Sequence, residues 1–167
     1  MPAMRAITLD NRNIAFQEGD ERLAMLTYLK RMSYQATIRL AGGDEYEIRP
    51  LDIWRSKFEI LHNGKAEITF RRMWTGKTRI DVIRQGHRQS YIFQPKGFFD
   101  YRYVLMDHDK REVAVLRTKF LWKGFKYDFN LEISDSLKRR EDWLILVVLQ
   151  TYLSRYIMRQ HRRGHSL

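Results

Sequence analysis

Apolar and polar positions alternate along most of the chain. In Lys126–Ile133, the residues Tyr127, Phe129, Leu131 and Ile133 fall on one side of an extended backbone, and Lys126, Asp128, Asn130 and Glu132 fall on the other. A side-chain period of two predicts a strand with one dry and one wet face. Ala66, Ile68 and Phe70 alternate with Glu67, Thr69 and Arg71 in the same way. The preceding run Phe58–Leu61 leads into His62-Asn63-Gly64-Lys65. Asn-Gly between two apolar runs predicts a type I′ hairpin, because both residues accept positive φ. Similar punctuation at Gly42-Gly43-Asp44, Thr75-Gly76-Lys77, Gln85-Gly86-His87, Pro95-Lys96-Gly97 and Asp107-His108-Asp109-Lys110 divides the rest. The result is about ten to twelve segments of ordinary strand length. They lie near Arg5–Leu9, Ile14–Gln17, Ala24–Leu29, Thr37–Ala41, Glu45–Leu51, Phe58–Leu61, Ala66–Met73, Thr78–Arg84, Ser90–Gln94, Tyr101–Met106, Arg111–Lys119 and Lys126–Ile133. Glu21–Met32, with Leu23, Met25, Leu26 and Leu29, fits a short amphipathic helix equally well.

The pattern changes after Ser134. Ser134-Asp135-Ser136 supplies N-cap candidates, and Glu141 and Asp142 stand where the first turn of a helix favours acids. Trp143–Met158 then runs without proline or glycine, roughly 24 Å of helix at 1.5 Å per residue. Trp143 to Leu149 is apolar around the whole cylinder, which predicts a helix enclosed on all sides rather than lying on a surface. The helix is expected over 141–159, ended by Gly164 and a basic tail over 160–167. A flat sheet covers only one side of such a helix. The expected fold is therefore mainly β: a closed antiparallel barrel of about ten to twelve strands around a buried hydrophobic C-terminal helix, since barrel width grows with strand number. An antiparallel sheet packed on the helix by one face is the alternative. No repeat, low-complexity tract or linker interrupts 1–167, which reads as one domain with strands over 4–134.

The strand Tyr127-Asp-Phe-Asn-Leu-Glu-Ile133, the acidic Asp135, the spacer with Glu141-Asp142 and the run Trp143-Leu-Ile-Leu-Val-Val-Leu149 resemble the C-terminal end of the tubby-like superfamily. The LURP-one-related proteins and the phospholipid scramblases are its nearest members in size. The hairpins Phe58–Lys65 and Tyr103–Val115 fit that family's strand–turn–strand rhythm. The resemblance implies a twelve-stranded barrel threaded by a hydrophobic C-terminal helix. It also implies lipid partners, since tubby proteins bind phosphoinositides and scramblases act on phospholipids. The scramblase calcium motif after the helix is absent, because no acid follows Asp142, so calcium-dependent scrambling is not implied.

The chain's 167 residues suit one core, and 44% hydrophobic content is enough to fill it. Zero cysteine excludes disulfides, thiol nucleophiles and thiolate metal sites. No signal-peptide-like apolar stretch opens the sequence, and Arg155 breaks the longest apolar run, so the expected setting is cytoplasmic and at most peripheral to a membrane.

Three motifs with catalytic or metal-binding potential read better as structure. Trp74-Thr-Gly-Lys-Thr78 ends like a phosphate-binding loop, but Arg71 stands where that loop needs glycine, so a hairpin turn is expected. Asp107-His108-Asp109 sits in a polar turn, where Asp bonds its own backbone. His161 and His165 share a helical spacing with no acid near to complete a zinc site. No catalytic residue, metal ligand or cofactor is predicted, and the chain reads as a binding protein rather than an enzyme.

Charge sharpens that reading. The net +11 is uneven: 55–99 holds ten basic and three acidic residues, and 143–167 holds four basic and none acidic. The expected ligand site is a basic face made of Arg71, Arg72, Lys77, Arg79, Arg84, Arg88, Arg155, Arg159, Arg162 and Arg163, with an anionic phospholipid or membrane surface as partner. Two alternatives stand beside it. One is a single-stranded nucleic-acid binder stacking bases on Trp54, Trp74, Tyr91 and Phe93. The other is a structural or stress-related LURP-one-like protein whose charge serves solubility.

Overall fold

The computed structural model describes residues 3–31, 33–124 and 126–165, the last five by backbone alone. Twelve strands follow one another as an up-and-down meander: β1 Met4–Thr8, β2 Asn13–Glu18, β3 Glu21–Tyr28, β4 Ala36–Leu40, β5 Glu45–Pro50, β6 Lys57–His62, β7 Lys65–Arg72, β8 Thr78–Arg84, β9 His87–Lys96, β10 Arg102–Met106, β11 Glu112–Leu121 and β12 Lys126–Ile133. Each pairs antiparallel with its sequence neighbour, and β1 closes the barrel on β12 through Met4↔Leu131 and Ala6↔Phe129. The twelve predicted segments all fall on these strands, with ends displaced by three residues at most. Glu21–Tyr28 is a strand and not a helix, because Ala24, Leu26 and Tyr28 point inward at period two and pair with β2 and β4.

After β12 come a four-residue helix, α1 Asp135–Lys138, and the long helix α2 Trp143–His165. The cap expected for the long helix belongs to the short one: Ser134 Oγ accepts the Leu137 N–H at 3.2 Å. No acid stands in the first turn of α2, and the Asp142 carboxylate is taken by Arg140 at 3.0 Å. Nor does the helix stop before Gly164. It continues to His165, since a single glycine weakens a helix without breaking it.

Twelve strands leave a lumen wider than their own side chains fill, and α2 occupies it. The ten residues from Ile145 to Ser154 are all buried, covering every side of the helix. Ile48, Ile60, Ile68, Phe70, Phe93, Leu105, Leu116 and Leu131 meet it from the wall. Three polar residues lie in this stretch; Thr151 and Ser154 bond back to the helix carbonyls of Val147 and Gln150, and Gln150 reaches the wall. Its amide donates to the Tyr103 and Ala114 carbonyls, both at 3.2 Å. Pro95 faces Tyr103 and has no N–H to give, and Ala114 borders a bulge between β10 and β11. The helix thus supplies donors where the strand ladder falls short.

The outer wall carries Arg39, Glu45, Glu47, Arg49, Lys57, Glu59, Arg71, Arg79 and Asp81 on its outward positions. A lipid-facing barrel needs an apolar outer band, and these strands do not provide one. Among the described residues, no helix is long and apolar enough to cross a membrane.

Candidate functional site

Because the sheet is a meander, successive connections alternate between the two ends of the barrel, and the two ends differ chemically. At the end where α2 enters, the connections are short and polar: Gly19-Asp20, Gly42-Gly43-Asp44, Asn63-Gly64, Gln85-Gly86 and Asp107 to Arg111. Asn63 and Gly64 have φ of 53° and 77°, the predicted I′ geometry, and Gln85-Gly86 adopts the same at 51° and 76°. In the last of these turns Asp107 accepts from the Asp109 and Arg111 amides, as a structural turn would.

At the end where α2 leaves, the connections are 9–12, 29–35, 51–56, 73–77, 97–101 and 122–125. They carry Leu9, Leu29, Leu51, Ile53, Trp54, Trp74, Phe98, Phe99, Tyr101 and Trp122, ten of the eleven large hydrophobic side chains left exposed among the described residues; the other, Ile83, is on the wall. Trp74 is 98% exposed, Phe99 97% and Trp54 82%. Tryptophan is normally well covered, yet three of the chain's four stand open on one rim. The Phe98-Phe99 loop is held out by Gly97 at φ 89°, where an added Cβ would lie 2.2 Å from the Asp100 carbonyl oxygen. Trp74-Thr-Gly-Lys-Thr78 is the predicted hairpin turn, closed by Met73 N–H to the Lys77 carbonyl at 2.8 Å.

The same rim is basic. Its strand connections contribute Arg12, Lys30, Arg31, Arg55, Lys77 and Lys123 against Asp10, Asp52 and Asp100. All three acids are occupied by the fold. The Asn13 side chain and the Arg12 amide hold Asp10 below the usual carboxylate range, Ser56 does so for Asp52, and Arg117 for Asp100. At the opposite end Asp20, Asp44, Asp107, Asp109, Asp135, Glu141 and Asp142 outnumber Lys110, Arg111, Lys138, Arg139 and Arg140. The barrel is polarised along its axis.

Inside the basic rim four arginines surround the emerging helix, each lying on a tyrosine. Arg155 and Arg159 both lie over Tyr28, at 4.6 and 4.8 Å; Arg72 lies over Tyr156 at 4.5 Å and Arg55 over Tyr34 at 4.1 Å. The rings belong to one cluster: Tyr34 meets Tyr156 edge-on at 5.1 Å, and Tyr152 stacks on Tyr28 at 5.9 Å. Arg155 donates to the Asn11 carbonyl at 3.1 Å, Arg159 to that of Ser33 at 3.2 Å, and Arg72 to Gln160 Oε1 at 2.6 Å. Burial pushes the Arg159 guanidinium below its ordinary value, and the neighbouring charge of Arg155 acts in the same direction.

The ten basic residues singled out from the sequence therefore divide among different places. Arg72, Lys77, Arg155 and Arg159 stand at the exit rim. Arg71 lies on the outer wall between Lys57 and Arg79. Arg79 and Arg88 are bound to Asp81 at 3.1 and 2.9 Å. Arg84 is at the opposite end, 3.7 Å from Glu67 and 3.8 Å from Glu141. The side chains of Arg162 and Arg163, like those of His161 and His165, lie outside the described residues. The four aromatics considered for base stacking also separate: Trp54 and Trp74 are exposed, while Tyr91 and Phe93 are core. Arg55 and the aromatic rim were not anticipated.

Asp81 organises the outer wall and gives it a pH dependence. Burial pushes its carboxyl up, but hydrogen bonds from Arg88, Ser90 and Arg79 outweigh that and hold it below the usual value. Its contribution to stability is therefore complete above the unfolded carboxyl pKa, near 4, and is lost as pH falls through the lower native value. Asp81→Asn is expected to lower unfolding free energy by about 1–2 kcal/mol at pH 7 and to narrow the gap to wild type at pH 3, as read from urea unfolding at both values.

Comparison with protein-family models, with curated proteins and with solved structures returned no match.

Proposed function

We propose that the protein is a non-enzymatic binding protein that docks end-on against an anionic membrane surface, through the rim where α2 leaves the barrel. The observation that carries this reading is that, among the described residues, ten of the eleven exposed large hydrophobic side chains lie on that rim. Isolated exposed apolar residues are ordinary, whereas a concentrated set marks an interaction surface. Its composition narrows the partner. Trp54, Trp74 and Trp122 beside Lys30, Lys77 and Lys123 pair amphipathic rings with cations. Tryptophan and tyrosine favour the headgroup layer, and each nearby Lys or Arg gains about 1 kcal/mol from an acidic leaflet. The acidic opposite end would be repelled by the same surface, which sets the orientation. The resemblance to tubby-like and scramblase sequences points toward phospholipid as well.

The test is co-sedimentation with phosphatidylcholine vesicles, with and without phosphatidylserine. Wild-type protein is expected to sediment with the acidic vesicles and to be released by salt. Combined Trp54→Ala, Trp74→Ala and Trp122→Ala should weaken binding at least tenfold, without loss of thermal stability because the three side chains support nothing in the core. Unchanged binding by that variant overturns the reading. So does salt-sensitive capture of single-stranded RNA with no vesicle binding, the outcome a base-stacking rim would give.

A further inference from the structure

We propose that the four arginines around the emerging helix, Arg55, Arg72, Arg155 and Arg159, form a receptor for a phosphomonoester dianion; this rests on the docking reading above for where the site points, and names what it recognises. The first support is the missing counter-charge. Among the described residues, seven arginines are half-buried in the barrel. Four of them pair with carboxylates: Arg84 with Glu67, Arg102 with Glu112, Arg117 with Asp100 and Arg140 with Asp142. The other three, Arg72, Arg155 and Arg159, have no carboxylate partner among the described residues, and all three stand at the exit mouth. Arg55 joins them from the 51–56 loop, also without an acid. Partly burying like charges together is unfavourable unless an opposite charge completes the group.

The helix macrodipole does not supply that charge. Its influence is confined to the last turn, and Arg155 and Arg159 precede the helix end at His165 by ten and six residues. Cation–π contact offsets part of the cost, and it also sets the geometry. The guanidinium carbons lie 4.1 to 4.8 Å from the tyrosine ring centroids, which holds the four groups around one mouth. Each has five N–H donors; Arg72, Arg155 and Arg159 each use one on the bonds already described, and the Arg72 Nε and Arg155 Nη1 donors are buried without a partner. Guanidiniums suit bidentate contact with tetrahedral phosphate oxygens. Several cations without an acid favour a group carrying two negative charges over one.

Two sources of that group are separable by experiment. Vesicles of phosphatidylcholine with phosphatidic acid present it as a headgroup, and vesicles with phosphatidylserine at matched surface charge present only diesters. Inorganic phosphate at pH 8, titrated calorimetrically against chloride at equal ionic strength, presents it in solution. The expected result is at least tenfold preference for phosphatidic acid over phosphatidylserine. Arg155→Lys with Arg159→Lys keeps the charge but removes the fork, and should bring phosphatidic acid binding down to the level of phosphatidylserine. Arg55→Gln, in an exposed loop that the core does not need, should reduce it with unchanged thermal stability. Saturable heat with inorganic phosphate, lost in the double lysine variant, supports the receptor with free phosphate as its source even where the vesicles show no preference. Equal binding to the two acidic vesicles together with no saturable heat overturns the receptor. The Trp54→Ala, Trp74→Ala, Trp122→Ala protein separates the two proposals, since it should lose vesicles and retain phosphate.

Discussion

Ile145→Asp, Leu146→Asp, Val147→Asp, Val148→Asp and Leu149→Asp should each prevent cooperative folding. The five positions are consecutive and each is at most 1% exposed, so together they span more than one turn of α2 and sample every direction around it. A helix packed by one stripe has a solvent side, and at least one aspartate among five would land there harmlessly. Inside the barrel every direction is wall. An ionised carboxylate placed among Ile60, Ile68, Leu105 and Leu116 meets no donor, and the penalty for an unpaired buried charge is comparable with or larger than the roughly 5–15 kcal/mol that holds a domain folded. Leu149→Ala, which leaves a void but no charge, should cost only about 2–5 kcal/mol and still fold. The measurement is a thermal melt followed by near-ultraviolet circular dichroism. A cooperative transition in any of the five aspartate variants would identify an uncovered side of the helix.

Most of the strands were legible because inward side chains meet α2 and outward ones meet water, which gives period two; β2, β8 and β10 depart from it, with Ala15, Asp81 and Val104 buried between inward neighbours. Segments as short as Thr37–Ala41 were found because Gly42-Gly43 and similar turns interrupt the alternation. The enclosed helix was legible for the opposite reason, since Trp143–Leu149 shows no polar stripe at all. The helix start was misplaced because Ser134, Glu141 and Asp142 have the right chemistry for a cap and other employment: Ser134 closes α1, Asp142 binds Arg140 and Glu141 faces Arg84.

The site was less legible, because charge density along the chain is not charge density in space. Arg72 and Arg84 are close in sequence, but β8 runs between them. Seven residues of strand at about 3.3 Å each carry the chain from one end of the barrel to the other. Conversely, Arg55, Arg72 and Arg155 come from a loop, a strand end and the helix, and only closure of the barrel gathers them. One signal was available. In a meander every second turn shares an end, and the turns here alternate between Gly-Gly-Asp, Asn-Gly, Gln-Gly or Asp-His-Asp and segments containing Ile53-Trp54, Trp74, Phe98-Phe99 or Trp122. Bulky apolar residues at turn positions have nothing to pack on, and their recurrence in every second turn marks one rim.

Tyr152→Ala should disable the mouth as well as weaken the core. Tyr152 is fully buried on α2, stacked on Tyr28 and touching Phe58 and Phe70 at ring separations of 6.2 and 6.0 Å. Burial pushes its phenol well above the ordinary value, so the hydroxyl stays protonated and donates to the Tyr34 carbonyl at 2.5 Å. The residue therefore props two rings that carry arginines, Tyr28 beneath Arg155 and Arg159, and Tyr34 beneath Arg55. Removing the ring leaves a cavity worth about 3–5 kcal/mol, and Tyr28 and Tyr34 lose the contacts that fix their tilt. Tyr152→Phe keeps the ring and forgoes only the hydrogen bond, about 1 kcal/mol. Chemical denaturation should rank the two variants in that order. In the vesicle assay Tyr152→Phe should keep the preference for phosphatidic acid, while folded Tyr152→Ala protein, measured at low temperature where the native state is populated, should lose it. Equal preference in both would show that the arginines hold their places without the ring beneath them.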